Sequence, residues 1–216
     1  MTEGAETQAH KQADVTVETH AGLAVVRLSR PAERNALSSA TLDALDEAVS
    51  LLKSSSHIFA VIFTGTDDVF ASGANIRELR LFTPSQALDF ARRGQRLFRK
   101  ITDTPKLTIA AVNGYCMGGG LDLALACDIR CASPGTVFAH PGVRLGIITG
   151  WGGTQRLPRL IGAARALEIF ATARRVTCTE AYEIGMVDHV ADSAFDCALQ
   201  IVRARTLRSA SHTPAP

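Results

Sequence analysis

Asn113-Gly114-Tyr115-Cys116-Met117-Gly118-Gly119-Gly120-Leu121-Asp122 follows the apolar run Leu107 to Val112, LTIAAV. That run reads as a buried strand, and Asn113-Gly114 ends it in a turn. The triple glycine then opens a helix from about Leu121. Glycine at a strand-to-helix turn permits positive φ and lets a ligand approach the main chain closely. The first N–H groups of a helix lack partners within it and carry partial positive charge. A second segment has the same arrangement. Phe59 to Phe63 (FAVIF) reads as a buried strand, and Phe70-Ala71-Ser72-Gly73-Ala74-Asn75-Ile76 comes after it. Two such turns converging on one point would hold a developing oxyanion. Two tight turns that serve only packing are the plain alternative. GxxxxGK[ST] and GxGxxG are both absent, which leaves P-loop and dinucleotide-binding readings without support.

Outward from these two turns, strands alternate with helices. Leu23 to Leu28 (LAVVRL) is β-rich. Over Ser38 to Lys53, Leu42, Leu45, Val49 and Leu52 recur at helical spacing, and Ser38 is a good N-cap. Ser85 to Ile101 reads as a second helix, and Ile129 to Ala132 and Val137 to Ala139 as short strands. A helical stretch from Gly153 to Ala173 is broken near Gly162. A short helix begins at Thr179, with Thr179 as its cap, and a last helix spans Ala194 to Leu207. This order predicts an α/β fold with mainly parallel pairing; two short sheets packed together also fit.

The chain has 216 residues, 46% hydrophobic and 20% charged, enough for one domain with a sizeable core. Its net charge of +2, from 23 basic and 21 acidic residues, gives no argument for nucleic acid or an anionic membrane as main partner. No apolar run is long enough to span a bilayer. The first fourteen residues lack an apolar signal core and read as a polar, irregular lead. Five cysteines with no CxxC pair read as reduced thiols of a cytoplasmic protein. The scattered histidines offer no metal spacing.

NGYCMGGGLDLALACDIR closely resembles the second oxyanion segment of the enoyl-CoA hydratase/isomerase (crotonase) family, and FTGTDDVFASGANIREL resembles the first. Arg30-Pro31-Ala32-Glu33-Arg34-Asn35-Ala36-Leu37 is similar to the family's RPxxRNAL opening, and LGIITGWGGTQRLPRLIG to its later helix signature. The match runs in order from about Val15 to Val190. It implies a crotonase-like spiral of ββα units, with two roughly perpendicular sheets flanked by helices. It divides the chain into a lead (1–14), an acyl-CoA-binding core (15–190) and a shortened C-terminal helix with an irregular tail (191–216). By the resemblance, the N–H groups of Ala74 and Gly119 are the oxyanion donors. Arg34, Ala36, Ser72, Asn75 and Ile76 fall where the family contacts coenzyme A, and a guanidinium at Arg34 suits a phosphate. Tyr115, Met117, Gly118, Pro141 and Gly142 fall near the thioester and acyl group. The implied partner is an acyl-CoA thioester, with coenzyme A as part of the substrate and no metal or redox cofactor. A homo-oligomer, a trimer or dimer of trimers, is the family's assembly. Relatives carry further C-terminal helices that cover the acyl pocket and help form trimers, so the brief stretch after Val190 weakens that expectation.

The acid–base residues depart from the pattern. Typical hydratases resemble one another in using two glutamates; here those positions hold Asp122 and Gly142. Asp122 is shorter by one bond, about 1.5 Å, and Gly142 cannot exchange a proton. Asp122 also has a structural role open to it, complementing a helix dipole from the first turn. His140 titrates near neutrality in principle, although a surface loop position is the expectation for it. Asn75 stands where the family usually has aspartate. Arg92, Arg93, Arg96, Arg99 and Lys100 read as a solvated helix face, with attraction of phosphates as the alternative. Trp151 reads equally as acyl-pocket lining or core. Water addition to a 2,3-unsaturated acyl-CoA is the leading expectation. Isomerisation, decarboxylation or thioester hydrolysis on the same enolate, and acyl-CoA binding without catalysis, remain as alternatives.

Overall fold

The computed structural model describes residues 8–12, 14–66 and 68–210, and side chains from 14 to 205 outside position 67. In chain order the elements are β1 (Gln8–Gln12), β2 (Val15–His20), β3 (Leu23–Leu28), β4 (Ala36–Leu37), α1 (Ser39–Ser54), β5 (Ala60–Thr64), β6 (Val69–Ala71) and β7 (Gly73–Ala74). There follow α2 (Ile76–Leu79), α3 (Pro84–Thr102), β8 (Leu107–Val112), β9 (Tyr115–Met117), α4 (Gly119–Ala126), β10 (Ile129–Ala132) and β11 (Val137–Ala139). The chain continues through α5 (Gly153–Ile161), α6 (Ala163–Thr172), β12 (Val176–Thr177), α7 (Cys178–Glu183), β13 (His189–Val190) and α8 (Ala194–Ala210).

One sheet has the order β1-β2-β3-β5-β8-β10-β13, another β12-β11-β9-β6, and β4 pairs with β7. From β3 through β13 the neighbours in the large sheet run parallel. Three successive units share one plan. β5, β8 and β10 each add a strand to the large sheet, β6, β9 and β11 then add one to the small sheet, and a helix returns the chain. The repeated ββα plan inferred from the resemblance is therefore present, in a mixed α/β fold of several sheets flanked by helices.

The period-2 pattern of the central strands explains their burial on both faces. Val61 and Phe63 of β5 enter the main core, with Leu45, Phe70, Phe98 and Leu121. Ala60 and Ile62 face the opposite way, onto Ala194, Ala198 and Val202 of α8. Each fully buried large side chain of this kind contributes roughly 1.5–3 kcal/mol. Ser38 caps α1 by accepting from the Thr41 amide at 3.1 Å, as its position in the sequence indicates. Thr83 closes a capping box with Gln86 at the start of α3.

Several expectations need correction. Gln8–Gln12 pairs antiparallel with β2, so regular structure begins within the stretch read as an irregular lead. Residues 1–7, 13 and 211–216 lie outside the described residues. The cap of α7 is Thr177, whose side chain accepts from the Glu180 amide, and Thr179 lies inside the helix. The helix after the triple glycine starts at Gly119, two residues before Leu121. The expected break near Gly162 separates α5 from α6.

Candidate active site

Three segments form the site, and each leaves the carboxyl end of a small-sheet strand. Residues 72–74 follow β6, residues 118–119 follow β9 and residues 140–142 follow β11, and these strands are neighbours in the order β11-β9-β6. Strand ends of this kind are where α/β sheets place ligands. The Gly118 amide donates to the Ala139 carbonyl at 2.8 Å, tying the second segment to the third.

The first segment needs its glycine. The amides of Ser72 and Asn75 both donate toward the β4 side, to the carbonyls of Arg34 and Leu37. In an unbroken strand, amides three residues apart point to opposite edges. Gly73, at φ +96°, supplies the break. With Asn75 turned to β4, the intervening Ala74 amide faces the other way, toward α4. Gly119 lies there: a methyl built on Gly119 would sit 3.5 Å from the Ala74 nitrogen, and one on Gly73 would sit 3.1 Å from the Gly119 nitrogen. Gly119 is the first residue of α4, where a helix leaves its amide without an internal partner. The two amides named from the sequence thus flank one gap.

That gap opens into a cavity of about 220 Å³, lined by Ser72, Gly73, Ala74, Ile76, Gly118, Gly119, Asp122, His140, Pro141 and Gly142 on one side. Apolar side chains, among them Leu79, Phe90, Leu145, Ile147, Ile148 and Trp151, line the other. An adjoining hollow of about 640 Å³ gathers Arg34, Ser72, Tyr115, Met117 and Pro141 with Arg144, Arg174 and Arg175. A further groove of about 520 Å³ is lined by Arg34, Ala36, Ser72, Ala74, Asn75 and Ile76. Every site residue named from the sequence therefore lines one of three hollows that share Ser72. None of Arg92, Arg93, Arg96, Arg99 and Lys100 does. Arg93 pairs with Asp43, Lys100 pairs with Asp46 at 2.6 Å, and the other three are exposed, so the run joins α3 to α1 and is otherwise solvated. Asn75 caps α2, accepting from the Arg77 and Glu78 amides. Trp151 does both things asked of it: it lines the cavity and packs edge-on against Phe90 and Phe98.

Asp122 is 1% exposed and His140 3%. The expectation of a surface loop histidine is therefore wrong: β11 and Pro141 turn the ring inward against Phe170, 5.0 Å away between ring centroids. His140 Nε2 lies 3.2 Å from Asp122 Oδ1. That separation suits an ion pair, but the alignment does not make a hydrogen bond, and both atoms are buried without a hydrogen-bond partner. Thr149 Oγ1 donates to the other carboxylate oxygen, Asp122 Oδ2. Asp122 thus points into the site and does more than complement the helix dipole. Arg156, on α5, feels its charge, although burial lowers the guanidinium's proton affinity more strongly. Burial pushes the Cys116 thiol well above its ordinary range, and the nearby Asp122 charge adds to this. Sequence reading missed Thr149 and the inward turn of His140. Hydroxyl and imidazole in a loop have no periodicity that reveals which way they face.

Gly142 admits no longer side chain without rearrangement. A Cβ there would meet the Ile147 carbonyl oxygen at 2.7 Å, and the Ile147 amide is itself bound to the Gly142 carbonyl at 3.1 Å. The turn thus favours glycine at position 142.

A sequence model of the enoyl-CoA hydratase/isomerase family matches residues 18–212. The chain belongs to the enoyl-CoA hydratase/isomerase family. It is 39% identical over 180 residues to a short-chain-enoyl-CoA hydratase of Clostridium acetobutylicum, covering 83% of this chain and 69% of that protein. It is 39% identical over 178 residues to a crotonyl-CoA hydratase of Syntrophomonas wolfei, covering 82% and 68%. The chain thus spans about two thirds of the length of both curated relatives. A crystal structure of an enoyl-CoA hydratase from Geobacillus kaustophilus superposes with a TM-score of 0.88 at 32% identity, covering 94% of this chain and 77% of that one.

Proposed function

We propose that this chain is an enzyme adding water across the 2,3-double bond of an enoyl-CoA thioester. The observation that carries this reading is the Ala74 and Gly119 amide pair at the mouth of a largely apolar cavity that also holds Asp122. The amides hold the thioester oxygen and stabilise the enolate that forms when water attacks C3; donors fixed before reaction are worth several kcal/mol in such steps. Asp122 takes the proton from water and delivers it to C2. The apolar wall of Phe90, Leu145, Ile148 and Trp151 receives the acyl chain, while Arg34 and the groove beside Asn75 and Ile76 receive coenzyme A. Hydration transfers no net electrons, so no redox cofactor is required, and the amides take the part a Lewis acid would play. The relatives' names support this reading.

Isomerisation of the double bond is a second reading, favoured by one observation: Asp122 is the only carboxylate among the described residues lining the main cavity. A single base suffices to carry a proton between two carbons. Crotonyl-CoA supplied to the purified chain separates the two. Loss of the conjugated thioester absorbance with formation of 3-hydroxybutyryl-CoA supports hydration; conversion of a 3-enoyl-CoA alone supports isomerisation. Binding of either thioester without turnover would overturn both. A homo-oligomer belongs to the same proposal, supported by exposed Val143, Ile148 and Leu167, which line one hollow beside the main cavity; a cytoplasmic location is proposed with it from the unpaired cysteines. Sedimentation at a single monomer mass would remove the oligomer.

A further inference from the structure

His140 has no part in the reading above, yet it is the most deeply placed titratable partner the site offers. Asp122 and His140 are the only titratable residues lining the main cavity among the described residues. Both are almost wholly buried. Their facing atoms, Oδ1 and Nε2, are 3.2 Å apart and make no hydrogen bond elsewhere. A lone buried carboxylate is costly, and so is a lone imidazolium; placed face to face, they offset each other when one proton is held between them. Thr149 fixes the remaining carboxylate oxygen, so the carboxylate cannot rotate away from the ring. Gly142, which supplies no acid or base, is crowded by the Ile147 carbonyl.

We propose that His140 is a positioning residue for Asp122, and that the pair carries one shared proton, held on Nε2 so that the imidazolium stands against Oδ1 as an ion pair, in support of the acid–base step. This rests on the hydration reading. As the oxygen of water bonds to C3, its O–H bond breaks and the proton passes to Asp122. The double-bond electrons move toward the thioester, leaving an enolate oxygen at the Ala74 and Gly119 amides. The shared proton meanwhile stays on His140, and the enolate's negative charge offsets the imidazolium. Asp122 then gives its proton to C2 as the carbonyl re-forms. Water has been added, and no electron has been gained or lost.

The test uses the full chain and three variants, His140→Gln, Asp122→Asn and Thr149→Val. Two readouts are taken across pH: hydration of crotonyl-CoA, and exchange of the C2 hydrogens of butyryl-CoA in deuterated water. The second needs the proton carrier but not water addition. The inference expects His140→Gln to lose roughly a hundredfold in kcat, with KM within about threefold. It also expects the alkaline limb of the kcat/KM profile to vanish, because that limb reports loss of the shared proton. The other groups facing the pair are Cys116 from β9, Arg156 from α5, Thr149 and Phe170. The Cys116 thiol titrates too high to supply that limb, and Arg156 remains charged. Thr149→Val is expected to lose about tenfold in kcat with the alkaline limb retained. If the wild type hydrates and His140→Gln matches it in rate and profile, the inference fails and the hydratase reading stands. If the wild type only exchanges, and His140→Gln abolishes exchange, the pair stands and hydration fails. If neither reaction occurs, both fall. Should His140→Gln not fold, Thr149→Val decides: an unchanged kcat overturns the inference.

Discussion

Gly153 offers the sharpest perturbation of the site from outside it. It is the first residue of α5, and a methyl built on it would lie 2.2 Å from Asp122 Oδ1, 2.9 Å from Thr149 Cγ2 and 3.0 Å from His140 Nε2. An ordinary contact begins near 3.4 Å, so Gly153→Ala must drive the carboxylate about 1.2 Å from its place, and the imidazole by less. Displacement of a catalytic group by about 1 Å costs on the order of a hundredfold in rate. Overpacking costs about 1–3 kcal/mol, offset by up to about 1 kcal/mol because alanine favours helix over glycine. A net loss of roughly 0–3 kcal/mol corresponds to at most about 12 °C in Tm for a chain of this size. The variant is therefore expected to fold and to hydrate crotonyl-CoA about a hundredfold more slowly, with KM little changed. Steady-state kinetics beside a thermal melt measures both. A folded Gly153→Ala protein within threefold of the wild-type kcat would refute the placement of Asp122 at the reacting atoms.

Gly119→Ala puts a methyl 2.3 Å from the Trp151 ring, and should lower kcat/KM at least tenfold by moving one oxyanion donor; a wild-type value would remove Gly119 from that role. Arg130 is buried, donates to the Met186 and Cys127 carbonyls at 2.9 Å each, and pairs with Asp188 at 2.6 Å. Arg130→Met should destabilise the chain by roughly 1–3 kcal/mol in urea unfolding, since it strands those carbonyls, while Asp188 keeps its bond from the residue 130 amide. Arg174 bridges Glu168 and Glu180, and its hydrogen bond holds Glu180 below the ordinary carboxylate value of 4.5. A depressed carboxylate stabilises fully above its unfolded pKa and loses that contribution as pH falls through the lower folded value. The half-exposed pair is worth at most about 1 kcal/mol. Arg174→Gln should accordingly flatten the fall in unfolding free energy below about pH 4.5; an unchanged slope would contradict the assignment.

Much of this fold was legible because its central strands are mostly apolar and β-branched. LTIAAV and Ile129 to Ala132 were bounded correctly, since their polar members, Thr108 and Arg130, are themselves buried and do not blur the ends. β2 was missed because VTVETH buries only one face near its start and turns polar along its length. The two- and three-residue strands β6, β7 and β9 fell within segments read as turns, and β4 was assigned no element. They owe their pairing to tertiary neighbours, and three residues carry too little pattern to show it. The two glycine turns were legible because glycine marks backbone needs directly, whereas the Ala74 and Gly119 amides were singled out only by the resemblance. The Asp122–His140–Thr149 contact was not legible, because it closes across 27 positions of chain between Asp122 and Thr149, and the loop that closes it has no repeat.

The turn at Gly142 has a consequence for engineering. A side chain introduced there must displace the Ile147 carbonyl, which is held close by its own residue's amide bonded back to Gly142. Substitution at 142 therefore disturbs the 142–147 turn and the cavity wall it forms. A laboratory lineage asked for faster turnover should accumulate its changes around positions 140, 149 and 153 while leaving 142 untouched.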